Sequence, residues 1–232
     1  MNLFVGTSGY SYPAWKGSFY PAKLPAKQFL RHYATQFRSV EVNATFRGLP
    51  KATTRDAWTA EVPAEFRFVL KSPQQITHIK RLKDVAEPVA AFVEFAAPLK
   101  DRLGPLLFQL PPNLKKDAAR LRDFLALLPD GTRAAFEFRH ETWFDDEVYG
   151  LLRNHNAALV LAEAEGELAV PVVATADWGY LRLRLPDYGD KELRAWLRRM
   201  RKQDWGDAFV FFKHEDEGKG PRFAQRLLEL AG

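Results

Sequence analysis

The chain of 232 residues is long for an average domain but ordinary for an α/β barrel built as one unit, and its 47% apolar content can fill a large core. It contains no cysteine, which excludes disulfides, thiol catalysis and thiolate zinc sites and fits a reducing cytoplasm. The formal net charge of +5 permits contact with nucleic acid or anionic metabolites, and no run of about 18 apolar residues predicts a membrane span.

Starting at the N-terminus, residues 1–6 show no basic leader followed by an apolar run, so we predict no signal peptide and a cytoplasmic location. Short β-type runs bounded by turn residues then recur eight times. They cover residues 3–7, 39–43, 66–71, 106–110, 134–139, 158–162, 180–185 and 209–213. Helical patterns separate most of them, at residues 26–37, 53–62, 88–103, 117–128, 147–154, 191–202 and 221–230.

This alternation predicts an α/β fold, a single (β/α)₈ TIM-type barrel in which residues 1–232 form one domain. A doubly wound open sheet is the competing architecture, but such sheets usually stop at about five or six strands, and their Gly-rich first turn is missing here. The sixth βα connection, residues 163–179, contains Gly166 and Pro171 and no clear amphipathic helix. We expect this connection to be short or irregular.

Strand alternation predicts polar groups inside the barrel, because successive side chains point to opposite faces. In the seventh strand, Arg182 and Arg184 share the face opposite three leucines. In the fifth strand, Glu137 and Arg139 lie opposite two phenylalanines. If the apolar faces pack under the helices, the polar faces point inward. The second, third and fourth strands contribute further polar groups by the same rule, namely Glu41, Asn43, Lys71 and Gln109.

The charges of this inward set do not balance. Its cations are Lys71, Arg139, Arg182 and Arg184, and its anions are Glu41 and Glu137. A surplus of about two positive charges predicts an anionic ligand, such as a phosphate or carboxylate, which arginine binds well through its planar donors. The alternative is a structural ion-pair network, because buried charges are costly unless they are paired. The convergence of five strands where barrel enzymes place their active sites favours a function.

The turn after the first strand, residues 6–9, is a second candidate feature. It is not a nucleophile elbow, because Tyr10 stands where the second glycine of that motif belongs. The turn is either a simple tight turn or a backbone cradle for an oxyanion, in which Ser8 and Tyr10 contribute to binding. Ser8 has no histidine adjacent in sequence that could act as its base.

Three histidines follow predicted strands and could reach the same end of the barrel. They are His78, His140 and His214, after the third, fifth and eighth strands. A metal site built from these histidines with Glu41 or Glu137 is conceivable, but no metal-binding motif spacing supports it. The sequence therefore indicates no metal and no cofactor.

Aromatic and basic residues outside the strands suggest nucleic-acid binding as a second kind of function. Trp143 and other loop aromatics could stack on a sugar or a base, or they could pack the loops. The seventh helix carries a basic run, residues 194–202, which is either an ordinary solvated face or a stripe that follows phosphates. Nucleic acid is therefore an alternative partner.

Several motifs together resemble one known family. They are Gly6-Thr7-Ser8-Gly9-Tyr10, Val40-Glu41-Val42-Asn43-x-Thr45-Phe46, Phe66-x-Phe68-x-x-Lys71 with Ile76-Thr77-His78, Leu107-x-Gln109-Leu110-Pro111-Pro112, and Glu137-Phe138-Arg139-His140 with Trp143. The chain is similar in these positions to the YecE-like proteins, or domain of unknown function 72. The resemblance implies a TIM-type barrel and no established activity. Its polar positions correspond to Glu41, Asn43, Lys71, His78, Gln109, Glu137, Arg139, His140 and Trp143.

The C-terminal third departs from the pattern that this resemblance implies. The family tends to place histidine where this chain has Arg184 on the seventh strand. It also tends to place two asparagines after the eighth strand, where this chain has Lys213 and His214. One departure adds positive charge to the predicted barrel wall, so an activity inferred from relatives does not transfer directly.

Three hypotheses follow for function. In the first, the protein is an enzyme of hydrolase or isomerase/lyase type that binds an anionic or phosphate-containing small molecule. Three arginines, Arg139, Arg182 and Arg184, bind the anion, and Glu137 or Glu41 acts as general base. Lys71 is an electrostatic stabiliser or a Schiff-base nucleophile. The second hypothesis is a nucleic-acid binding or processing protein, and the third is a non-catalytic barrel that binds a metabolite.

Overall fold

Eight parallel strands with helices between them form a nearly closed barrel, which confirms the predicted fold class. The computed structural model of the chain describes residues 1–166 and 168–232. The strands are β1 (Asn2–Thr7), β2 (Ser39–Val42), β3 (Arg67–Lys71), β4 (Leu103–Gln109), β5 (Ala134–Glu137), β6 (Ala158–Glu163), β7 (Trp178–Leu183) and β8 (Asp207–Phe212). Each matches a predicted strand with ends shifted by up to three residues.

The helices surround the barrel and alternate with the strands. They are α1 (Phe29–Ala34), α2 (Ala44–Arg47), α3 (Ala52–Ala60), α4 (Ala86–Ala96), α5 (Ala118–Leu125), α6 (Asp146–Asn154), α7 (Asp190–Arg201) and α8 (Lys219–Ala231). Shorter 3₁₀ segments lie at Pro13–Trp15, Ala26–Gln28, Ala97–Arg102 and Glu141–Trp143, and Gln75–Ile79 is a π-helix. None of the helices in the described part of the chain is long and apolar enough to cross a membrane.

The connection between β6 and β7 has no helix in the residues that the structure describes. This agrees with the prediction of a short or irregular sixth connection, and residue 167 of that connection lies outside the described residues. The largest shift of a strand end is at β4, which begins at Leu103 rather than at residue 106. A register shift between Phe68 and Leu70 of β3 accommodates the extra residue of β4 where Gly104 and Pro105 occur.

The barrel closes between β1 and β2 through a tyrosine and one backbone contact. The N–H of Gly9 donates to the carbonyl of Glu41 at 2.8 Å. Lower down, the Tyr33 hydroxyl accepts from the Thr7 N–H at 2.8 Å and donates to the Ser39 carbonyl at 3.1 Å. This hydroxyl therefore links the two strands at a level where their backbones do not pair directly.

Gly6 allows the close approach of β1 to β2, and its replacement tests how tightly the barrel closes. A Cβ on Gly6 would lie 2.0 Å from the Ser39 carbonyl oxygen and 2.6 Å from the Tyr33 hydroxyl. We expect Gly6→Ala to lower the free energy of unfolding by about 1–3 kcal/mol, measured by urea denaturation. Gly150→Ala in α6 is the control, because its Cβ would meet nothing within 4 Å. The control should be neutral or stabilising by up to about 1 kcal/mol, and equal losses in both variants would contradict this account.

The barrel interior has an apolar lower part and a polar upper part. The lower part is an enclosed cluster of Val69, Leu107, Ala135, Ala158, Val160, Trp178, Tyr180, Phe209 and Phe211. Phe4 stacks on Phe209 with ring centroids 4.8 Å apart and fills the bottom of the barrel. Above this plug, towards the carboxyl ends of the strands, the inward positions are occupied by hydrogen-bonding and charged groups. The fold thus separates a packed base from a polar end.

Candidate functional site

Three buried charged side chains form the centre of the polar end. Glu41 lies on β2, Glu137 ends β5 and Arg182 lies on β7. Their exposed fractions are 0%, 0% and 1%. These strands are not neighbours in the barrel, so the three side chains reach across its interior and meet near the axis. The three side chains therefore point into the barrel, as strand alternation predicts.

Glu41 has a hydrogen-bond donor at each of its acceptor positions. Its Oε1 accepts from the Ser8 hydroxyl and from Arg182 Nη2 at 2.8 Å. Its Oε2 accepts from the Tyr180 hydroxyl at 2.6 Å and from Arg182 Nε at 2.9 Å. Burial favours the neutral acid, but the charge of Arg182 and these hydrogen bonds outweigh it and lower the pKa of Glu41. The carboxylate is therefore fixed and ionised.

Glu137 is held in a similar way from three sides. Its Oε2 accepts from Arg182 Nη1 at 2.6 Å, and its Oε1 accepts from Gln109 Nε2 at 2.8 Å. Arg184 Nη2 lies 3.6 Å from Oε1. Against the opposing effect of burial, the charges of Arg182 and Arg184 lower the pKa of Glu137 to about 2.

Arg182 joins both carboxylates through one guanidinium. It forms a bidentate pair with Glu41 and a single strong contact with Glu137. Burial disfavours its charge, but the two carboxylates raise the pKa of Arg182 above its ordinary value. Taken alone, this triad carries one negative charge in excess, which the nearby cations Arg184 and Lys71 offset.

Lys71 lies at the end of β3 beside this triad, and its surroundings differ from those of the arginine. Its Nζ donates to Gln109 Oε1 at 2.9 Å and lies 4.0 Å from the centre of the Phe46 ring. No carboxylate in residues 1–166 and 168–232 comes within ion-pair distance of it. Burial, followed by the positive charge of Arg182, lowers the pKa of Lys71 to about 8. It is thus a cation supported by neutral groups.

His78 lies in the π-helix that follows β3, a type of local structure often found at functional sites. Its Nδ1 is hydrogen-bonded to the Thr77 hydroxyl at 2.9 Å, and its ring meets Phe46 edge to face at 4.9 Å. Burial and the charges of Lys71 and Arg139 lower the pKa of His78. The imidazole is therefore mainly neutral near pH 7 and able to exchange a proton.

A small cavity opens beside Glu137 at the same end of the barrel. Its volume is about 210 Å³, and its walls are Pro112, Glu137, Phe138, Arg139, Ala162, Leu168 and Val170. A larger cleft of about 490 Å³ lies on the outer surface, between the segment before α4 and helix α5. The small cavity contains a member of the buried triad and lies at the strand ends, so it is the stronger candidate for a ligand site.

Several predicted binding residues lie away from this cavity. Tyr10 is half-buried and packs against the core, with its ring centroid 6.3 Å from that of Tyr33. Trp143 is fully buried, stacks on Phe138 at 4.7 Å and donates to the Leu114 carbonyl at 2.7 Å. These contacts indicate packing roles for both residues.

Two other predicted binding residues lie just beyond strand ends. The Nδ1 of His140 accepts from the Thr142 N–H at 3.3 Å, at the start of the segment Glu141–Trp143. Asn43 is half-buried after β2 and precedes α2. Gln109 and Ser8, by contrast, belong to the buried network through Glu137 and Glu41.

Two members of this end of the barrel were not among the predicted site residues. Tyr180 donates to Glu41, and Lys213 is close enough for its charge to lower the pKa of Lys71. The signal for Tyr180 was present, because it shares an alternating face of β7 with Arg182 and Arg184. Lys213 follows β8 on the face of Phe209 and Phe211, so the same rule would have found it.

The histidines do not gather into a metal site. His78 contacts Phe46, His140 caps a 3₁₀ segment, and His214 packs on Tyr188 and Phe223. Across residues 1–166 and 168–232 there is no group of three or more His, Asp or Glu side chains that could hold a metal ion.

Fold and site together define a class of protein, a TIM barrel with a carboxylate–guanidinium network buried at the carboxyl ends of its strands. The chain belongs to the family described as protein of unknown function DUF72, whose model matches residues 4–232. This confirms the predicted family resemblance.

Relatives and solved structures agree with this family assignment. UPF0759 protein YunF of Bacillus subtilis is 26% identical over 98% of this chain and 94% of its own length. UPF0759 protein YecE of Escherichia coli is 30% identical over 61% of this chain and 50% of its own length. A DUF72 family protein from Thermotoga maritima superposes with a TM-score of 0.89 at 27% identity, over 99% of both chains. One from Enterococcus faecalis, at 18% identity and a TM-score of 0.81, shares the fold.

Proposed function

We propose that the protein is an enzyme that binds a small anionic substrate at the carboxyl ends of the strands and transfers protons with Lys71 and His78. One observation carries the proposal. Lys71 is a half-buried cation that is held by a neutral amide and an aromatic ring at the end of a barrel strand. Titratable groups with shifted pKa values that face a barrel's catalytic end are candidates for chemistry.

The buried triad has a positioning role in this proposal. Glu41 and Glu137 have low pKa values, and their oxygens already accept hydrogen bonds from Arg182, Tyr180, Ser8 and Gln109. A carboxylate in that state is a weak base, so we assign proton transfer to other groups rather than to the glutamates. The triad fixes Gln109, and Gln109 in turn fixes the position of the Lys71 amine.

Lys71 and His78 are better suited to proton transfer. A pKa of about 8 for Lys71 provides both the ammonium and the neutral amine near neutral pH. His78, whose pKa is lowered by burial and by Lys71, provides a neutral imidazole next to the same Phe46 ring. Together they supply a proton donor and a proton acceptor for the acid and base steps of an isomerase, lyase or hydrolase.

The electrostatics at Lys71 support an anionic substrate. Among its charged neighbours Arg182 has the largest effect and repels the ammonium, as Lys213 does more weakly, while Glu41 and Glu137, which are already paired with Arg182, attract it. A negative group placed next to the amine would relieve this repulsion and stabilise the ammonium. The cavity beside Glu137 is not lined by Lys71 itself, but it has Arg139 in its wall and room for a small carboxylate or phosphate at the same end of the barrel.

Inorganic phosphate is the first probe of this site. We expect calorimetry to detect phosphate binding by the wild-type protein at pH 7 and low salt, with affinity reduced about tenfold in Lys71→Met. Binding should weaken between pH 7 and pH 9, because Lys71 loses its charge through a pKa of about 8. Lys191→Met, which removes an exposed charge on α7, is the control. Unchanged affinity in Lys71→Met, or an equal loss in the control, would count against the proposal.

Turnover of a substrate by the protein would distinguish an enzyme from a barrel that only binds a metabolite.

The nucleic-acid alternative rests on the exposed basic run of α7. Within that run, Arg199 stacks on Trp196 at 4.6 Å, and Arg201 donates to the Ala231 carbonyl at 3.0 Å. These two side chains therefore pack α7 against itself and α8, and we place this alternative second.

A further inference from the structure

We infer that Lys71 is a nucleophile that forms a Schiff base, and that the substrate is a small aldehyde or ketone carrying a carboxylate or phosphate. The inference rests on the proposed function, because it specifies what happens after the anion binds. It is carried by the geometry around Nζ: a neutral hydrogen-bond acceptor and an aromatic ring contact it, and no carboxylate in residues 1–166 and 168–232 forms an ion pair with it.

The support of Lys71 by neutral groups is what distinguishes it from a structural lysine. Lys116, for comparison, forms ion pairs with Asp145 and Glu147, which hold it in the ammonium form. Gln109 makes no such demand, because its amide oxygen accepts a hydrogen bond from an ammonium and also, more weakly, from a neutral amine. Lys71 can therefore lose its proton, and its charge, without losing its anchor.

The neighbours of Lys71 favour the reactive form of the amine. A lysine becomes nucleophilic when it is desolvated or when it lies beside another cation. Both conditions hold here, since burial and Arg182 lower its pKa to about 8. At pH 7.5 the neutral fraction of such an amine is roughly two-hundredfold larger than that of an ordinary lysine.

His78 can move the protons that imine formation requires. Its ring and the Lys71 amine contact the same Phe46 ring, and its Nδ1 is engaged by Thr77. The other ring nitrogen is then the one available for proton exchange. Its low pKa leaves it neutral, and therefore basic, at the start of the reaction.

The reaction balances with these groups alone. The lone pair of Nζ attacks the carbonyl carbon, and the C=O π electrons move to oxygen. His78 accepts a proton from the nitrogen and returns it to the oxygen, which gives a carbinolamine. The hydroxyl then leaves as water with one further proton from solvent, while the nitrogen lone pair forms the C=N bond. One amine, one carbonyl compound and one proton thus give one protonated imine and one water.

Reductive trapping with glyoxylate tests the inference directly. The wild-type protein is incubated with glyoxylate and sodium cyanoborohydride at pH 7.5, and carboxymethylated lysines are mapped by peptide mass spectrometry. We expect Lys71 to be modified at least about tenfold faster than the exposed Lys191. A His78→Gln variant should slow modification of Lys71 and leave that of Lys191 unchanged, and added imidazole should restore the rate at Lys71, which a purely structural role of His78 would not produce.

Added phosphate keeps the two proposals distinguishable. If phosphate slows modification of Lys71 but not of Lys191, anion binding and Schiff-base formation share one site. If phosphate binds and Lys71 is modified no faster than Lys191, the Schiff-base inference is overturned while the proposed anion site stands. If Lys71 is modified rapidly but phosphate neither binds nor competes, the assignment of Lys71 as a nucleophile is supported and the proposal of an anionic substrate is contradicted.

Discussion

Replacing Arg182 by methionine is expected to lower the free energy of unfolding by about 3–5 kcal/mol. The substitution leaves Glu41 and Glu137 buried, with exposed fractions of 0% for both, and removes the cation that contacts both of them. The donors that remain around them in residues 1–166 and 168–232 include Ser8, Tyr180, Gln109 and the more distant Arg184. Urea denaturation followed by circular dichroism measures the loss.

The matched control for this variant is Arg226→Met. Arg226 also pairs with two carboxylates, those of Asp190 and Glu229, but its side chain is 45% exposed on α8. Exposed pairs contribute about 0–1 kcal/mol each, so the control should lose little stability. Adding Glu41→Gln and Glu137→Gln to Arg182→Met should recover part of the loss, because amides cost less to bury than unpaired charges. A loss below about 1 kcal/mol in Arg182→Met would show that the triad contributes little.

Strand alternation located the triad because every member lies within a regular strand. Arg182 is inward because Leu181 and Leu183 are outward, and the same reasoning applies to Glu137 beside Phe136. The rule gives the face of a residue and its order along the strand. It does not give the partner across the barrel, which depends on the tilt and stagger of strands that are distant in sequence.

The limits of the same rule explain the aromatic residues. Tyr10 and Trp143 lie in loops beyond β1 and β5, where the period of two no longer applies. Each follows a polar strand end, which is why the sequence places it in the site, yet each packs against the core. Tyr180 is the opposite case. It lies inside β7 and shares the inward face, but an aromatic residue in a strand is usually apolar filling, so its hydrogen bond to Glu41 could not be predicted from its type.

The stability of the protein should fall steeply in acid, and Glu137 should account for a large share of the fall. Its folded-state pKa of about 2 is lower than its ordinary value of 4.5. Between pH 4.5 and pH 2, Glu137 is therefore protonated in the unfolded chain but ionised in the native state. Because the unfolded state binds this extra proton, stability is lost as the pH falls from about 5 to 2. The difference corresponds to about 3 kcal/mol, and Glu41, whose pKa is also lowered, acts in the same direction. Urea midpoints measured from pH 7 to pH 3 test this.

Two variants test whether Glu137 is the group responsible for the loss of stability in acid. Glu137→Gln should be less stable than the wild type at pH 7 but should lose less on acidification, because the titrating group is gone. Glu229→Gln makes the same change on the exposed face of α8 and should keep the wild-type slope.

The low pKa of Lys71 predicts a second change in stability, at alkaline pH. Its pKa of about 8 lies below the ordinary 10.5, so the unfolded chain again binds the extra proton, and stability should rise from pH 8 to about pH 9.5. Lys71→Met should abolish that rise. If the rise persists in Lys71→Met, the electrostatic basis for the reactivity of Lys71 is removed.

The acid side has its own contradicting outcome. If Glu137→Gln loses as much stability in acid as the wild type, the triad is not the group that titrates there.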